Sequence, residues 1–244
     1  MDPSADANLL MDMAISELPA TVPETASCYL RPLALFRRGS GNGDSGFPRL
    51  FGGPHRFMLG VAKLDQLPPA RGVEVAFAGR SNAGKSSLIN ALASVNDLAR
   101  ASNTPGRTRE LNFFDIGGKL TLVDMPGYGY AKAAKKEVKQ WQSMLRGYLR
   151  GRPGLTRAFV LIDARHGVLP ADEAMLELLD EAAVTYQLVL TKIDKIKPAE
   201  LSEVVARTEA AAKKRPAAFP LIHATSSEKN LGLDGLRAEI ARFL

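Results

Sequence analysis

With 244 residues, 45% of them apolar, the chain is long enough for one substantial core, and its single cysteine, Cys28, excludes an internal disulfide framework and a cysteine-built metal centre. No apolar run approaches the ~18 residues of a membrane span, and Leu9-Leu10-Met11 is cut short by Asp12, against a signal peptide. The expectation is a cytoplasmic protein with no membrane partner. The net charge of +6 lies wholly in residues 73–244, where 25 basic side chains stand against 19 acidic ones, and such a surplus permits nucleic-acid binding.

Pro, Ser, Ala and Gly punctuate the first fifty residues without any periodicity, ending in Gly39-Ser40-Gly41-Asn42-Gly43-Asp44-Ser45-Gly46. Residues 1–54 therefore read as a disordered N-terminal arm and residues 55–244 as the folded domain. Leu67-Pro68-Pro69 leads stiffly into Val73-Glu74-Val75-Ala76-Phe77-Ala78, a short buried strand. Next comes Gly79-Arg80-Ser81-Asn82-Ala83-Gly84-Lys85-Ser86, which fits G-x-x-x-x-G-K-[ST], and then a helix opened by Ser87-Leu88-Ile89-Asn90. Strand, loop and helix in that order make a phosphate cradle: inward N–H groups lie above the positive end of a helix dipole. Lys85 would reach the β- and γ-phosphates, and the Ser86 hydroxyl would hold Mg²⁺.

A long polar stretch, 94–109, contains Thr104-Pro105-Gly106-Arg107-Thr108-Arg109. Either threonine would complete the octahedral oxygen shell of Mg²⁺ while sensing the third phosphate. Thr108 is preferred over Thr104 because it immediately precedes the next strand. Residues 111–116 and 119–124, joined by Gly117-Gly118, predict an antiparallel hairpin. It ends in Asp124-Met125-Pro126-Gly127, of the form D-x-x-G, in which Asp124 would bind Mg²⁺ through water and the Gly127 N–H would face the γ-phosphate.

Apolar strands follow at 157–163, 186–191 and 219–224, separated by helical patterns at about 133–150, 171–183 and 198–214, with a last one at 233–243. Strands alternating with helices predict an α/β fold: a mostly parallel six-stranded sheet with helices on both faces and ligands at the carboxyl ends of the strands. Thr191-Lys192-Ile193-Asp194 lies at such an end and fits the guanine reader [NT]-K-x-D. One carboxylate offers two acceptors to guanine N1–H and N2–H₂, whereas adenine would leave it unpaired. The Lys192 stem would cover one face of the base. Thr225, Ser226 and Ser227, after the last strand, would close the pocket with backbone N–H groups.

These segments resemble the P-loop GTPases of the Era/septin group and, within it, the EngB (YsxC) family of ribosome-biogenesis GTP-binding proteins. The resemblance rests on residues 74–87, 104–108, Leu111-Asn112-Phe113-Phe114, Asp124 to Ala131 and Thr191–Asp194, and it covers about 55–244. It implies a GTPase of late large-subunit assembly, required for normal division and septation. It also implies nucleotide contacts at Gly79–Ser86, Gly106, Arg107, Thr108, Arg109, Glu110, Asp124–Gly127, Thr191–Asp194 and Thr225–Ser227, with Ser86 and Thr108 on Mg²⁺.

For hydrolysis, Lys85, Thr108 and Gly127 are the catalytic candidates. Tyr128 occupies the position that a water-orienting glutamine takes in Ras-like proteins, so slow intrinsic turnover is expected. Asn82 resembles the K⁺ ligand of cation-activated relatives; the alternative is that it stabilises a turn. Around the helix after Asp124, Lys132, Lys135, Lys136, Lys139, Arg146, Arg150 and Arg152 stand against Glu137. At ~100° per residue, Lys135, Lys139, Arg146 and Arg150 share one arc, while Val138, Trp141, Leu145 and Tyr148 share another that would pack on the sheet. The basic arc is the expected face for rRNA of the large ribosomal subunit, bound by a monomer. Asp172, Glu173, Glu177, Asp180 and Glu181 make the following helix acidic and unsuited to RNA. His166 reads as an exposed loop or partner residue, and His55 and His223 as structural. A GTP-dependent self-assembling septation scaffold is the alternative, disfavoured by the lack of coiled-coil heptads; an ATP-dependent kinase is disfavoured by Thr191–Asp194.

Overall fold

The computed structural model describes residues 50–99, 110–129 and 135–244, the side chains of 135–140 excepted. Thr104, Gly106 to Arg109, residues 1–49 and the side chains of Lys135 and Lys139 lie outside the described residues. One sheet contains β1 (His55–Val61), β2 (Val73–Gly79), β3 (Leu111–Ile116), β4 (Leu120–Asp124), β5 (Leu155–Asp163), β6 (Tyr186–Thr191) and β7 (Ala218–Ala224). Their spatial order is β1-β3-β4-β2-β5-β6-β7, and only β3 runs against the rest. The helices among the described residues are α1 (Lys85–Ala93), α2 (Lys135–Gly151), α3 (Pro170–Glu181), α4 (Pro198–Ala212) and α5 (Leu233–Ala241).

Alternation along the central strands divides the core into two layers. Ala76 and Ala78 of β2 and Ala158, Val160 and Ile162 of β5 face α2, α3 and α4; Val75, Phe77, Phe159 and Leu161 face α1 and α5. Side chains two residues apart share a face of a strand, so a strand covered on both sides must be apolar throughout. The P-loop strand meets this demand: Val75 to Ala78 are all fully buried.

The sheet has seven strands where the sequence predicts six. The extra one, β1, is an edge strand with Phe57 53% and Met58 41% exposed and a register shift between Phe57 and Leu59. Its apolar run, Phe57-Met58-Leu59-Gly60-Val61, lacks alternation and is broken by a glycine; pairing with β3 makes it a strand, and Phe57 packs edge-to-face on Phe114 at 5.7 Å. The packed region also begins before residue 55. Leu50 and Phe51 are buried against the α1/α5 layer, Gly117 N–H donates to Pro54 O at 3.1 Å, and His55 Nε2 meets Phe51 O at 3.0 Å.

Two expectations about charge are corrected. Arg152 does not belong to the basic exterior: it is buried against Glu74, with Nε 2.9 Å from Oε2. Tyr148 O–H donates to the same carboxylate at 2.6 Å, and Arg152 Nη1 to Pro68 O at 2.5 Å. A carboxylate buried beside the P-loop strand needs this full set of donors. Asp172 does not belong to the acidic exterior of α3, being fully buried. Glu173 and Asp180 there are paired with Arg215. On α2, Trp141, Leu145 and Tyr148 pack inward as the arc predicts, Arg150 is exposed, and Arg146 stands 3.8 Å from Glu181 at the surface. No helix among the described residues is long and apolar enough to cross a membrane.

Candidate nucleotide site

The loop between β2 and α1 turns sharply enough that two residues take left-handed backbone, Asn82 (φ 66°) and Gly84 (φ 89°). A side chain at residue 84 would be strained in that conformation; asparagine tolerates it. Ala83 N–H donates to Arg80 O at 3.0 Å, and Leu88 N–H to Gly84 O at 2.9 Å, so loop and helix are continuous. Ser86 is half-buried in the first turn of α1.

Asp124 ends β4 beside this loop, and its Oδ1 is in direct contact with Lys85 Nζ. Burial pushes the Asp124 carboxyl above the ordinary carboxylate range, and the Lys85 ammonium pulls it partly back. Met125 N–H donates to Phe77 O at 2.9 Å, Tyr128 N–H to Gly79 O at 3.3 Å, and Ser81 N–H to Tyr128 O at 3.0 Å. The D-x-x-G segment is thus laid directly on the phosphate loop. Gly127 lets the two segments approach closely, since a Cβ there would come 3.2 Å from Ser81 Cα and N, tighter than an ordinary contact.

Tyr128 does not face the loop's interior. Its hydroxyl donates to Asp172 Oδ1 at 2.9 Å, in the first turn of α3. Asp172 Oδ2 accepts Leu169 N–H at 2.9 Å and lies 3.4 Å from Arg80 Nε. Burial, followed by the neighbouring carboxylate, pushes the Tyr128 hydroxyl well above its ordinary range. It remains a proton donor fixed on α3.

The base-reading segment is sewn to the phosphate loop by side chains over a hundred positions away. Thr191 Oγ1 donates to Ala83 O at 2.7 Å, and Lys192 Nζ donates to Asn82 O at 2.6 Å and to Asp163 Oδ2 at 2.9 Å. Thr191 needs only a short donor for this, which its hydroxyl supplies. Lys192 has left-handed backbone (φ 58°), which turns the chain into the short 3₁₀ helix Ile193–Lys195. Asp194 sits in that turn. Ser226 Oγ donates to its Oδ1 at 2.5 Å, and Lys195 Nζ lies 3.1 Å from Oδ2. Oδ2 is buried and receives no well-formed hydrogen bond among the described residues. Burial raises the Asp194 carboxyl, but the Ser226 and Lys195 contacts outweigh it and hold it below its ordinary value, hence ionised near neutrality. Thr225 is fastened to Leu190 O through its N–H (2.7 Å) and hydroxyl (2.9 Å), and Ile193 N–H donates to Thr225 O at 3.3 Å.

The structure therefore brings together the 79–86 loop, the Asp124–Gly127 segment, the Thr191–Asp194 segment and the 225–227 loop at the carboxyl ends of β2, β4, β6 and β7. Glu110 is exposed just before β3. Two residues of this assembly were given no role by the sequence. Asp163 anchors Lys192, and its position at the end of a central strand was the available signal. Asp172 anchors Tyr128, 44 positions away, and nothing local announces that partnership. For a hard cation, the donor set fits Mg²⁺: a hydroxyl at Ser86 and one carboxylate at Asp124 beside the phosphate loop. No cluster of three or more metal-binding side chains exists among the described residues. Mg²⁺ on a nucleotide takes most of its oxygens from phosphate and water.

Comparison with known proteins agrees with this geometry. A family model described as "50S ribosome-binding GTPase" matches residues 74–192. The chain is 60% identical over 195 residues to the "Probable GTP-binding protein EngB" of Ruegeria pomeroyi, covering 80% of this chain and 90% of that protein. It is 57% identical over 193 residues to the protein of the same name from Caulobacter vibrioides, covering 79% and 84%. Among solved structures, a probable GTP-binding protein engB superposes with a TM-score of 0.55 at 23% identity over 70% of this chain and 99% of that one, a likeness of fold. Era in complex with MgGDPNP and a 16S ribosomal RNA segment superposes with a TM-score of 0.56 at 26% identity, over 70% of this chain and 56% of that one.

Proposed function

The chain belongs to the EngB family of GTP-binding proteins, and from that premise we propose that it is a GTP-gated assembly factor that binds the large ribosomal subunit and hydrolyses GTP slowly. The observation that carries the reading is the direct fastening of Thr191 and Lys192 to the carbonyls of Ala83 and Asn82. A base reader and a phosphate grip held at fixed separation recognise one molecule, a guanosine phosphate. The two oxygens of the Asp194 carboxylate accept guanine N1–H and N2–H, Ser226 keeps that carboxylate oriented, the Lys192 stem covers the base, and the backbone of Thr225–Ser227 meets the guanine carbonyl. The 79–86 amides and Lys85 hold the phosphates. Ser86, Thr108 and Asp124 would hold Mg²⁺, which would supply positive charge to the phosphate oxygens. Lys85 leaves Asp124 for the phosphates when nucleotide binds, and Gly127 N–H reports the third phosphate.

In-line attack of water on the γ-phosphorus is catalysed by position and charge rather than by covalent chemistry. Tyr128 offers no amide for the water, and its hydroxyl is committed to Asp172. This supports a low intrinsic rate, which K⁺ at Asn82 would raise. The exposed basic arc of α2, with Arg150 and Arg146 and, by sequence, Lys135 and Lys139, follows directly on the γ-phosphate sensor and is the face for rRNA. A defect in division and septation would follow from too few large subunits. Pelleting of the protein with purified 50S subunits tests the reading: binding that is strong with a non-hydrolysable GTP analogue and weak with GDP supports it. Equal or no pelleting in both states overturns it.

A further inference from the structure

The phosphate loop also lines a concavity that it shares with the turn after β5. The stretch 80–83 forms one wall, and Asp163, Arg165 and His166 form the other, around a notch of about 110 Å³. That is several times the ~15 Å³ that seats one water. Its charges are layered. The carboxylates, Asp163 at 4% side-chain exposure and Asp172 at 0%, lie underneath. Above them stand Arg165 at 44% and Arg80 at 22%, with His166 exposed at the rim.

Arg165 is held rigidly for a half-exposed side chain. Its Nε donates to Asp163 Oδ1 at 2.9 Å and its Nη2 to Oδ2 at 2.7 Å. The loop is wound around the same residue: His166 and Gly167 N–H both donate to Asp163 O at 3.0 Å. Neither fold nor nucleotide grip requires this arginine, because Asp163 is already paired with Lys192. A surface pair adds little stability. With its Nε/Nη2 edge held on Asp163, the guanidinium keeps its Nη1 side to donate to an oxyanion in the notch that Arg80 also lines. Apart from the His166 imidazole at the rim, the notch is lined by no Phe, Tyr or Trp, so its two guanidinium groups suit a backbone phosphate better than a stacked base.

We infer that the Arg80–Arg165–His166 notch docks a phosphodiester of the RNA partner, a contact separate from the α2 arc. The inference rests on the ribosome-binding reading above. Because Asp163 Oδ2 accepts from both Arg165 and Lys192, and Lys192 also donates to Asn82 O, one buried carboxylate joins the notch to the base reader.

The test uses the full chain, purified 50S subunits and deproteinised 23S rRNA. Arg165→Gln with His166→Gln should weaken rRNA and 50S binding roughly tenfold and reduce the slope of log affinity against log salt by about 1. Affinity for fluorescent GDP should stay within about threefold, since Lys192 keeps its partners. Arg165→Lys should recover part of the loss. Should the double variant melt early, His166→Glu, at an exposed position, carries the same expectation for rRNA. If the wild type binds 50S and rRNA but the variants match it in affinity and salt slope, the notch assignment fails while the ribosome-binding reading stands. If the loss appears with 50S but not with bare rRNA, the notch meets a ribosomal protein and the phosphodiester is excluded. If the wild type binds neither, both readings fall.

Discussion

Asp194→Asn isolates the base-reading step. Asparagine keeps an oxygen for Ser226, which donates to Oδ1 at 2.5 Å, so the turn and its anchor survive. At the Oδ2 position an acceptor becomes an NH₂ donor, facing the N–H donors of guanine. One charge-assisted hydrogen bond is lost, about 1.5–3 kcal/mol, and a buried donor is left unpaired, about 1–3 kcal/mol more. A total near 3–5 kcal/mol corresponds to a fall in GDP affinity of about a hundredfold to several thousandfold. Xanthine carries a carbonyl where guanine carries its amino group, so the same variant should gain affinity for xanthosine diphosphate while losing GDP. Titration with fluorescent GDP and fluorescent xanthosine diphosphate, alongside a melting curve, reads both effects. Retained guanine preference would refute the assignment of Asp194. Equal loss of both nucleotides with a depressed melting temperature would show that the residue holds the fold rather than the base.

Tyr128→Phe should leave the rate of GTP hydrolysis within about threefold, because the hydroxyl is spent on Asp172; it should cost about 1–3 kcal/mol of stability by stranding a buried acceptor. A rate loss above tenfold in single-turnover hydrolysis would place the hydroxyl in the chemistry instead. His223 gives a pH signature. Burial lowers its pKa from 6.5 to about 4, against the upward pull of Glu239 and with a smaller contribution from Arg157. The unfolded chain then binds the extra proton first, so stability is flat above pH 6.5 and declines by about 3 kcal/mol towards pH 4. Urea denaturation of His223→Leu should lack that part of the decline; an unchanged pH profile would remove His223 as its source. Finally, hydrolysis in KCl should exceed that in NaCl, and Asn82→Ala should abolish the difference. Equal rates in the two salts for the wild type would leave Asn82 as a turn residue.

The elements that position the site were legible because their signals are local. A glycine pattern between a strand and a helix, a Gly-Gly hairpin and apolar runs of strand length all act within a few residues. The order of the motifs along the chain then fixed which strand ends would meet. The two layers of the core follow from the same alternation, down to Val75 and Phe77 facing one set of helices and Ala76 and Ala78 the other.

Pairing across the sheet was decided only in three dimensions. β1 is a strand because β3 offers its edge, and Leu50 and Phe51 are core because the hairpin turn leaves room for them. Composition cannot say which way a polar side chain faces. Arg152 and Asp172 read as surface charges until Glu74 and Tyr128, 78 and 44 positions away, draw them inside. The physical reason is common to all of these. Turn chemistry and periodicity are properties of neighbouring residues, whereas a buried charge or hydroxyl is tolerated only if its partner arrives from elsewhere in the chain, and the packed fold chooses that partner.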